Sequence, residues 1–154
     1  MAINLLDRYN PEELNAKLGT TVEVVGEGVS RSLVVTKENL IPVMEKLCKS
    51  PEWAFDMLSD ISSVDRKDAG LEVVYQLFSI KHKYDLRVKT ITARDEAQVP
   101  TVTSIWPGAN FMEREVYDLM GVAFPGHPNM TRLLLPEEFE GHPLRKDFKL
   151  QPRA

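Results

Sequence analysis

The sequence predicts an α+β domain in which helices pack on one face of a mostly antiparallel sheet, followed by an extended segment rich in proline and glycine. The first observation is a pair of β-rich runs, 71–80 and 84–89, joined by a short turn as in a β-hairpin. The second is the helical spacing of apolar residues in segments 36–49 and 107–121. The third is the proline and glycine content beyond Pro125, which disfavours regular structure.

The length and composition fit one globular domain. A chain of 154 residues is long enough to bury a substantial core. Its apolar fraction of 43% and charged fraction of 27% are ordinary for such a chain. We therefore expect residues 1–124 to form the α+β domain and residues 125–154 to form an extended C-terminal signature segment of the same domain.

The N-terminal elements are predicted from their capping and turn residues. A helix is expected to begin after Asn10, because asparagine is a favourable cap and the proline that follows suits the first helical position. Gly19 is expected to end that helix. Two short β-rich runs follow at 21–25 and 32–35, and the glycines between them predict a hairpin. Segment 36–49 then predicts the second helix.

The middle of the chain predicts the main part of the sheet. Segment 53–64 is ambiguous, since its apolar residues suit either a helical turn or a strand that enters the sheet. The run 71–80 carries apolar residues on both alternating faces, which predicts a central strand. In 84–89 apolar and charged residues alternate, which predicts a half-exposed strand. The polar run 94–99 is expected to be a mobile loop.

Charge and composition disfavour several classes of protein. The net charge of −4 and the pI of about 5.4 argue against a nucleic-acid partner, because such proteins present a net basic surface. No run approaches the roughly 18 apolar residues that a membrane helix needs. The N-terminus lacks the basic region and apolar core of a signal peptide. We therefore expect a protein on the cytoplasmic side of the membrane that meets the membrane only through its partners.

Ligands for cofactors and metals are scarce in this sequence. Cys48 is the only cysteine, so the chain can form no internal disulfide and cannot supply the four thiolates that an iron–sulfur cluster usually needs. His127 and His142 each occur in a Gly-His-Pro sequence without a nearby cysteine. We expect both histidines to lock loops by hydrogen bonding or to contact a partner, rather than to bind a metal.

The predicted helix 107–121 carries four charged residues that are candidates for a polar network: Glu113, Arg114, Glu115 and Asp118. When the helix is projected at about 100° per residue, Glu115 falls inside the apolar arc. A carboxylate there is costly unless it is paired, and Arg132 or Arg145 could pair with it. The alternative is that Glu115 reaches the edge of the helix and bonds to water. A buried pair predicts that Glu115→Ala costs roughly 2–4 kcal/mol of stability.

The closing segment Leu144–Phe148 places apolar residues on either side of a compact group of charges. It follows a turn whose backbone is restricted by Pro143. Because chain termini normally fray, apolar residues at this position predict burial against this domain or against another subunit.

Taken together, these segments resemble the thirty-kilodalton subunit, or C subunit, of respiratory complex I, the NADH:quinone oxidoreductase. Members of that family carry an acidic helix motif, a glycine turn, a His-Pro pair, an arginine followed by a hydrophobic strand, and a closing basic motif. The corresponding segments, in the same order and spacing, are Glu113–Asp118, Gly121–Phe124, His127–Pro128, Arg132–Leu135 and Gly141–Phe148. The resemblance covers most of the chain from Trp53 onward and is weak before it.

The resemblance implies a structural subunit in the hydrophilic arm of the enzyme, with no catalytic, cofactor-binding or metal site of its own. It implies that partner subunits bind NADH, flavin, iron–sulfur clusters and quinone, and that electron transfer coupled to proton translocation is a property of the assembly. The residues implied for the family signature and partner contact are Glu113, Arg114, Glu115, Asp118, His127, Arg132, Gly141, His142, Pro143, Leu144, Arg145, Lys146, Asp147 and Phe148.

The implied partners are a 49 kDa-type subunit, which this chain would brace, and the cluster-bearing subunits. In that family the first of these partners helps to form the quinone site, so we call it the quinone-site subunit. Many family members continue beyond the closing motif, so a chain ending at Ala154 is expected to grip its partner less tightly.

Three alternatives remain open at the level of the sequence. The first is the equivalent subunit of a membrane-bound energy-converting hydrogenase or a formate hydrogenlyase-type complex, since nothing in the chain identifies the electron donor or acceptor. The second is a free-standing protein-binding adaptor domain. The third is a soluble enzyme with a site around His127 and His142.

Overall fold

The computed structural model of the chain describes residues 1–152. Within these residues the chain forms six strands and three α-helices. The elements are β1 (Ile3–Asn4), α1 (Pro11–Leu18), β2 (Glu23–Val25), β3 (Ser32–Val34), α2 (Lys37–Lys49), β4 (Met57–Asp65), β5 (Leu71–Ser79), β6 (Tyr84–Thr92) and α3 (Ala109–Met120). The predicted α+β class is therefore confirmed, and the ambiguous segment 53–64 contributes strand β4.

One mixed sheet of six strands forms the centre of the fold, with the strand order β2-β3-β6-β5-β4 and the short β1 paired with β6 off this path. The three long strands β4, β5 and β6 pair antiparallel over nearly their whole length, which confirms the predicted hairpin and the central position of β5. The sheet is not wholly antiparallel, since β3 and the short β1 both run parallel to β6. Parallel pairing of β3 with β6 is possible because α2 and the β4–β5 hairpin separate them along the chain.

Apolar residues of β5 and β6 that face the helices form the core of the domain. Leu71, Val73, Tyr75, Leu77, Leu86 and Val88 are all fully buried. Helix α2 contributes its apolar stripe, Leu40, Val43, Met44 and Leu47, which is equally buried. Helix α3 packs mainly on β4. The opposite face of the sheet is lined by polar and charged residues of β4, β5 and β6, so the helices cover one face as predicted.

The capping residues set the helix ends as the sequence predicts. Asn10 accepts a hydrogen bond from the backbone N–H of Glu13, whose side chain accepts one from the N–H of Asn10, so α1 begins with a complete capping box. Gly19 ends α1 in the left-handed conformation. Gly121 ends α3 in the same way, with a φ of +71°.

The polar run 94–99 is packed against the domain, which does not fit the expectation of a mobile loop. Ala97 and Val99 are buried, and the backbone at Gln98 forms a parallel bridge with Ala123. Arg94 forms an ion pair with Asp65 at the end of β4. The side chain of Arg94 and the backbone of Gln98 therefore anchor this run, a role that polarity alone does not reveal.

The segment that follows α3 is extended, as predicted, but one of its expected elements is absent. In the described part of this segment, the motif Arg132–Leu135 forms a bend and not a strand. The motif bends because the consecutive backbone N–H groups of Leu133, Leu134 and Leu135 all donate to the carboxylate of Asp118 on α3. No helix within residues 1–152 is long and apolar enough to cross a bilayer.

A polar clasp around helix α3

Helix α3 is buried on two opposite sides, and this decides which of its charged residues are inside. Ala109, Glu113, Val116 and Met120 share the side that faces the domain. Asp118 lies about 180° from that side on the helical wheel and is also fully buried, because the extended C-terminal segment covers it. Glu115 lies between these two sides and is exposed. The predicted burial of Glu115 is therefore wrong, and Glu113 and Asp118 are the buried carboxylates.

Asp118 is the centre of the contacts that hold the C-terminal segment. Its carboxylate accepts a 2.8 Å hydrogen bond from Arg132 Nη1. It also accepts bonds of 3.1, 2.7 and 3.0 Å from the consecutive backbone N–H groups of Leu133, Leu134 and Leu135. Burial by itself raises the pKa of Asp118, but these four donors outweigh burial and lower the pKa to about 2. Asp118 is therefore a permanent anion inside a nest of backbone donors.

Arg132 closes this arrangement from the other side. It pairs with Asp118, and its Nη2 donates to the carbonyl oxygens of Phe139 at 2.8 Å and Gly141 at 2.9 Å. Arg114 on α3 donates to the carbonyl oxygens of Thr131 and Arg132 at 3.1 and 3.0 Å. The two arginines thus fix the path of the segment on both sides of the nest.

Cationic and imidazole donors also cap the C-terminus of α3, where helix carbonyl groups lack partners. Arg145 donates to the carbonyl oxygen of Met120 at 2.6 Å and to that of Gly121 at 3.1 Å. His142 donates from Nδ1 to the carbonyl oxygen of Asp118 at 3.0 Å, since a carbonyl can only accept. Arg145 is therefore a helix cap and not the partner of Glu115. We call Asp118, Arg132, His142 and Arg145 the α3 clasp.

The α3 clasp leaves no room for a side chain at Gly121. A Cβ atom there would lie 2.5 Å from the His142 ring and 2.8 Å from Arg145 Nη2, and the φ of +71° already disfavours other residues. We expect Gly121→Ala to lower the unfolding free energy by roughly 1–2 kcal/mol, measured by urea denaturation. Gly108→Ala is the matched control, because nothing lies within 4 Å of that Cβ position. Equal stability of the two variants would contradict the close approach.

Asp65 forms a second anchor, at a position that was not among the predicted site residues. Its buried carboxylate accepts hydrogen bonds from the backbone N–H groups of Lys67 and Lys146, at 2.7 and 2.8 Å, and from Arg94. Arg94 also lies 3.4 Å from Asp147. Burial raises the pKa of Asp65, but the three donors outweigh it and lower the pKa to about 2. No local pattern reveals this anchor, because Asp65 and Lys146 are 81 residues apart.

Glu113 and His127 form a third polar group on the side of α3 that faces the domain. The Glu113 carboxylate accepts bonds from Thr101 Oγ1 at 2.6 Å and from the N–H of Val102 at 2.8 Å. His127 bonds to the carbonyl oxygen of Asn110 and the N–H of Asn129, so it locks loops as predicted. Within residues 1–152 no cluster of three His, Cys, Asp or Glu side chains has the arrangement of a metal site.

The closing segment leaves one of its two apolar residues uncovered. Phe148 is half-buried and stacks on Phe139 with ring centres 6.1 Å apart. Leu144 is 60% exposed, although its backbone N–H bonds to Leu119 at the end of α3. Leu134, whose N–H bonds to Asp118, is 61% exposed. The α3 clasp therefore holds the backbones of two leucines firmly at the last turn of the helix while their side chains face outward.

Known proteins are similar to this chain over a region that includes helix α3 and the closing segment. The model of the family described as respiratory-chain NADH dehydrogenase, 30 Kd subunit, matches residues 33–154. The chain belongs to this family. The resemblance of the signature segments to the thirty-kilodalton subunit is thereby confirmed, and the match begins further upstream than Trp53. The part before residue 33 holds β1, α1 and β2.

Individual relatives in the thirty-kilodalton family agree with this assignment. The C subunit of the NADH-quinone oxidoreductase of Moorella thermoacetica is 46% identical over 129 residues, which cover 82% of this chain and 86% of the relative. The C/D subunit of the NADH-quinone oxidoreductase of Shewanella woodyi is 42% identical over 147 residues, which cover 88% of this chain but only 24% of the relative. The chain thus spans about a quarter of the length of that longer relative.

A solved structure shows the same fold in another assembly. It is the membrane-bound sulfane sulfur reductase, an archaeal respiratory membrane complex. A chain of that complex superposes with a TM-score of 0.74 at 27% identity, covering 90% of this chain and 83% of the other. The fold of the thirty-kilodalton family therefore occurs in more than one kind of respiratory complex.

Proposed function

We propose that this chain is the thirty-kilodalton-type subunit of the hydrophilic arm of a complex I-like NADH:quinone oxidoreductase, where it braces the quinone-site subunit. It contacts cluster-bearing subunits and sits peripherally on the cytoplasmic side of the membrane. It has no catalytic, cofactor or metal site of its own, so NADH, flavin, clusters and quinone belong to its partners. Electron transfer coupled to proton translocation is then a property of the whole complex.

The observation that carries this proposal is how the α3 clasp uses its polar groups. Asp118, Arg132, His142 and Arg145 all bond to backbone or to each other, which stiffens a segment that would otherwise fray. The same segment presents Leu134 and Leu144 outward. A stiff backbone with exposed apolar anchors loses little conformational entropy on binding, which favours a partner surface. The signature residues therefore act by shaping this surface.

The choice of partner is supported by the relatives. The C/D subunit of Shewanella woodyi joins a segment similar to this chain to a much longer one within a single protein. Fusion fixes two domains at high effective concentration, which suits domains that remain in contact. We infer that the longer part corresponds to the quinone-site subunit and that the separate chains of other relatives make the same contact.

The proposal predicts that Leu134→Arg/Leu144→Arg weakens partner binding without weakening the fold. Buried apolar anchors are often worth about 2 kcal/mol or more at an interface, so we expect at least a tenfold loss of the quinone-site subunit after affinity purification from native membranes. Val29→Arg is the matched control, since Val29 is 95% exposed on the β2–β3 turn. Normal recovery of the partner by the double variant, quantified by mass spectrometry, would contradict the proposed surface.

A second candidate function has a specific observation in its favour. The similarity to a chain of the sulfane sulfur reductase complex agrees with an equivalent subunit in another membrane-bound energy-converting complex, such as a hydrogenase. The same purification separates the possibilities. Co-purifying flavin- and NADH-binding subunits support the NADH enzyme, and co-purifying hydrogenase subunits support the alternative. Recovery of the chain alone would favour a free-standing adaptor domain.

A further inference from the structure

Glu113 is a buried carboxylate that the proposed partner surface does not use. It is fully buried on the side of α3 that faces the domain. Within residues 1–152 the only basic side chain within 4.0 Å of its carboxylate is His127, whose Nε2 lies 4.0 Å from Oε2. This differs from the other three buried carboxylates of the described residues. Asp118 and Asp65 each pair with an arginine, and Glu72 pairs with Arg66 and Lys89.

The hydrogen bonds of His127 keep its ring neutral in this arrangement. Its Nδ1 accepts the backbone N–H of Asn129 at 2.9 Å, so that nitrogen carries no proton. Its Nε2 therefore carries the proton and donates it to the carbonyl oxygen of Asn110 at 3.0 Å. A neutral ring that is already engaged on both sides supplies no positive charge to Glu113.

The other polar groups at Glu113 are the backbone N–H of Val102, which donates to Oε1 at 2.8 Å, and hydroxyls. Tyr75 on β5 is fully buried, and its hydroxyl has no hydrogen-bond partner among the described residues. Burial raises the pKa of Tyr75, and the charge of Glu113 adds to that effect. Thr101 in the loop before α3 bonds directly to Glu113. Among the described residues, the site therefore offers an ionised carboxylate hydroxyl groups and one backbone N–H, but no arginine or lysine within 4.0 Å.

The threonine hydroxyls can serve both protonation states of Glu113. Thr101 Oγ1 lies 2.6 Å from the carboxylate and 2.9 Å from Thr103 Oγ1, and either hydroxyl can be the donor in that second bond. When Glu113 is ionised, Thr101 donates to it and accepts from Thr103. When Glu113 is protonated, it donates to Thr101, which then donates to Thr103. The backbone need not move between the two states.

We propose that Glu113 is a proton-binding site built into the domain, in which the Thr101–Thr103 pair reverses its hydrogen bonds as the proton arrives or leaves. A solvated carboxylic acid would be almost fully ionised at neutral pH, whereas this one holds its proton into the neutral range. Burial raises its pKa from 4.5 to about 7, against the opposing effect of the bonds from Thr101 and Val102. Ionisation of Glu113 then places an uncompensated charge in the domain interior and weakens the packing of α3.

The direct test is a ¹³C NMR titration of the Glu113 side-chain carboxyl in the purified full chain. The expected midpoint is about 7. Thr101→Val removes the donor that favours the ionised form, so it is expected to raise the midpoint further. A wild-type midpoint between pH 4 and 5 would overturn the proposal, as would a lower midpoint in Thr101→Val.

A thermodynamic test uses Glu113→Gln with Glu115→Gln as its matched control. The folded-state pKa is raised, so the wild type becomes less stable as pH rises from 4.5 through 7. For that shift, the unfolding constant of the wild type relative to Glu113→Gln is expected to rise about 30-fold between pH 5.5 and 8.5. Glu115→Gln should show the wild-type dependence. If the unfolding constant of Glu113→Gln showed the same pH dependence as that of the wild type, the proposal would be wrong. If Glu113→Gln fails to fold, the carboxyl titration of the wild type decides.

Discussion

Replacement of Asp118 by alanine is expected to destabilise the domain by roughly 4 kcal/mol, the largest effect among the signature residues. The change leaves the Arg132 guanidinium without its anion and removes the acceptor of three consecutive backbone N–H groups. Arg132 also holds Phe139 and Gly141, so its displacement spreads along the segment. Urea denaturation at pH 7 measures the loss directly.

Glu115→Ala is the matched control for Asp118→Ala, because it removes an exposed carboxylate three residues away on the same helix. We expect that variant to lie within about 0.5 kcal/mol of the wild type, in place of the roughly 2–4 kcal/mol expected for a buried pair. Since the folded-state pKa of Asp118 is lowered from 3.8 to about 2, its stabilisation is present above pH 3.8 and is lost as pH falls through 2. A change below about 1 kcal/mol for Asp118→Ala would show that the nest is not a main support of the fold.

Asp65→Ala is expected to release the closing segment from the end of β4 and to cost roughly 2–3 kcal/mol. Three donors lose their acceptor, namely Arg94 and the backbone N–H groups of Lys67 and Lys146. The closing segment should lose more stability than the domain as a whole. In the described residues, the segment beyond Lys146 has neither helix nor strand to hold it.

Limited trypsin digestion measures this release, since Arg145 and Lys146 are cleavage sites within the segment. Cleavage there follows the population of the open form, so a local loss of about 1.4 kcal/mol already gives a tenfold increase in rate. Asp60→Ala is the matched control, because Asp60 is an exposed carboxylate on the same strand. Unchanged cleavage in Asp65→Ala would mean that the α3 clasp alone holds the segment.

Much of the architecture could be predicted because it depends on neighbours in the sequence. The Asn10 cap, the Gly19 and Gly121 terminators and the alternation in β6 all act within a few residues. The central strand β5 was recognisable because its two alternating faces both carry apolar residues, and it does lie between β4 and β6, although helices cover only one face of the sheet. The parallel partners of β6 were not predicted, since no local pattern specifies which distant strand lies beside an edge.

The prediction for helix α3 failed because helical periodicity records only where apolar residues recur. Phe111 is apolar, yet it is 62% exposed. Glu113 and Asp118 are charged, yet both are fully buried. The projection that favoured Glu115 assumed one apolar face, whereas α3 is covered on two sides by different parts of the chain. Which carboxylate is buried depends on the donors that reach it, and those donors are placed by loops.

The family, the α+β class, the helix ends and the central hairpin could all be read from the amino-acid sequence, because each depends on short-range patterns or on a long motif read in order. The anchoring of the closing segment by Asp118 and Asp65, and the burial of Glu113 without a cation, became visible only in the folded chain. A buried charge is stable only where donors converge on it. Here those donors come from positions up to 81 residues away, and folding alone brings them together.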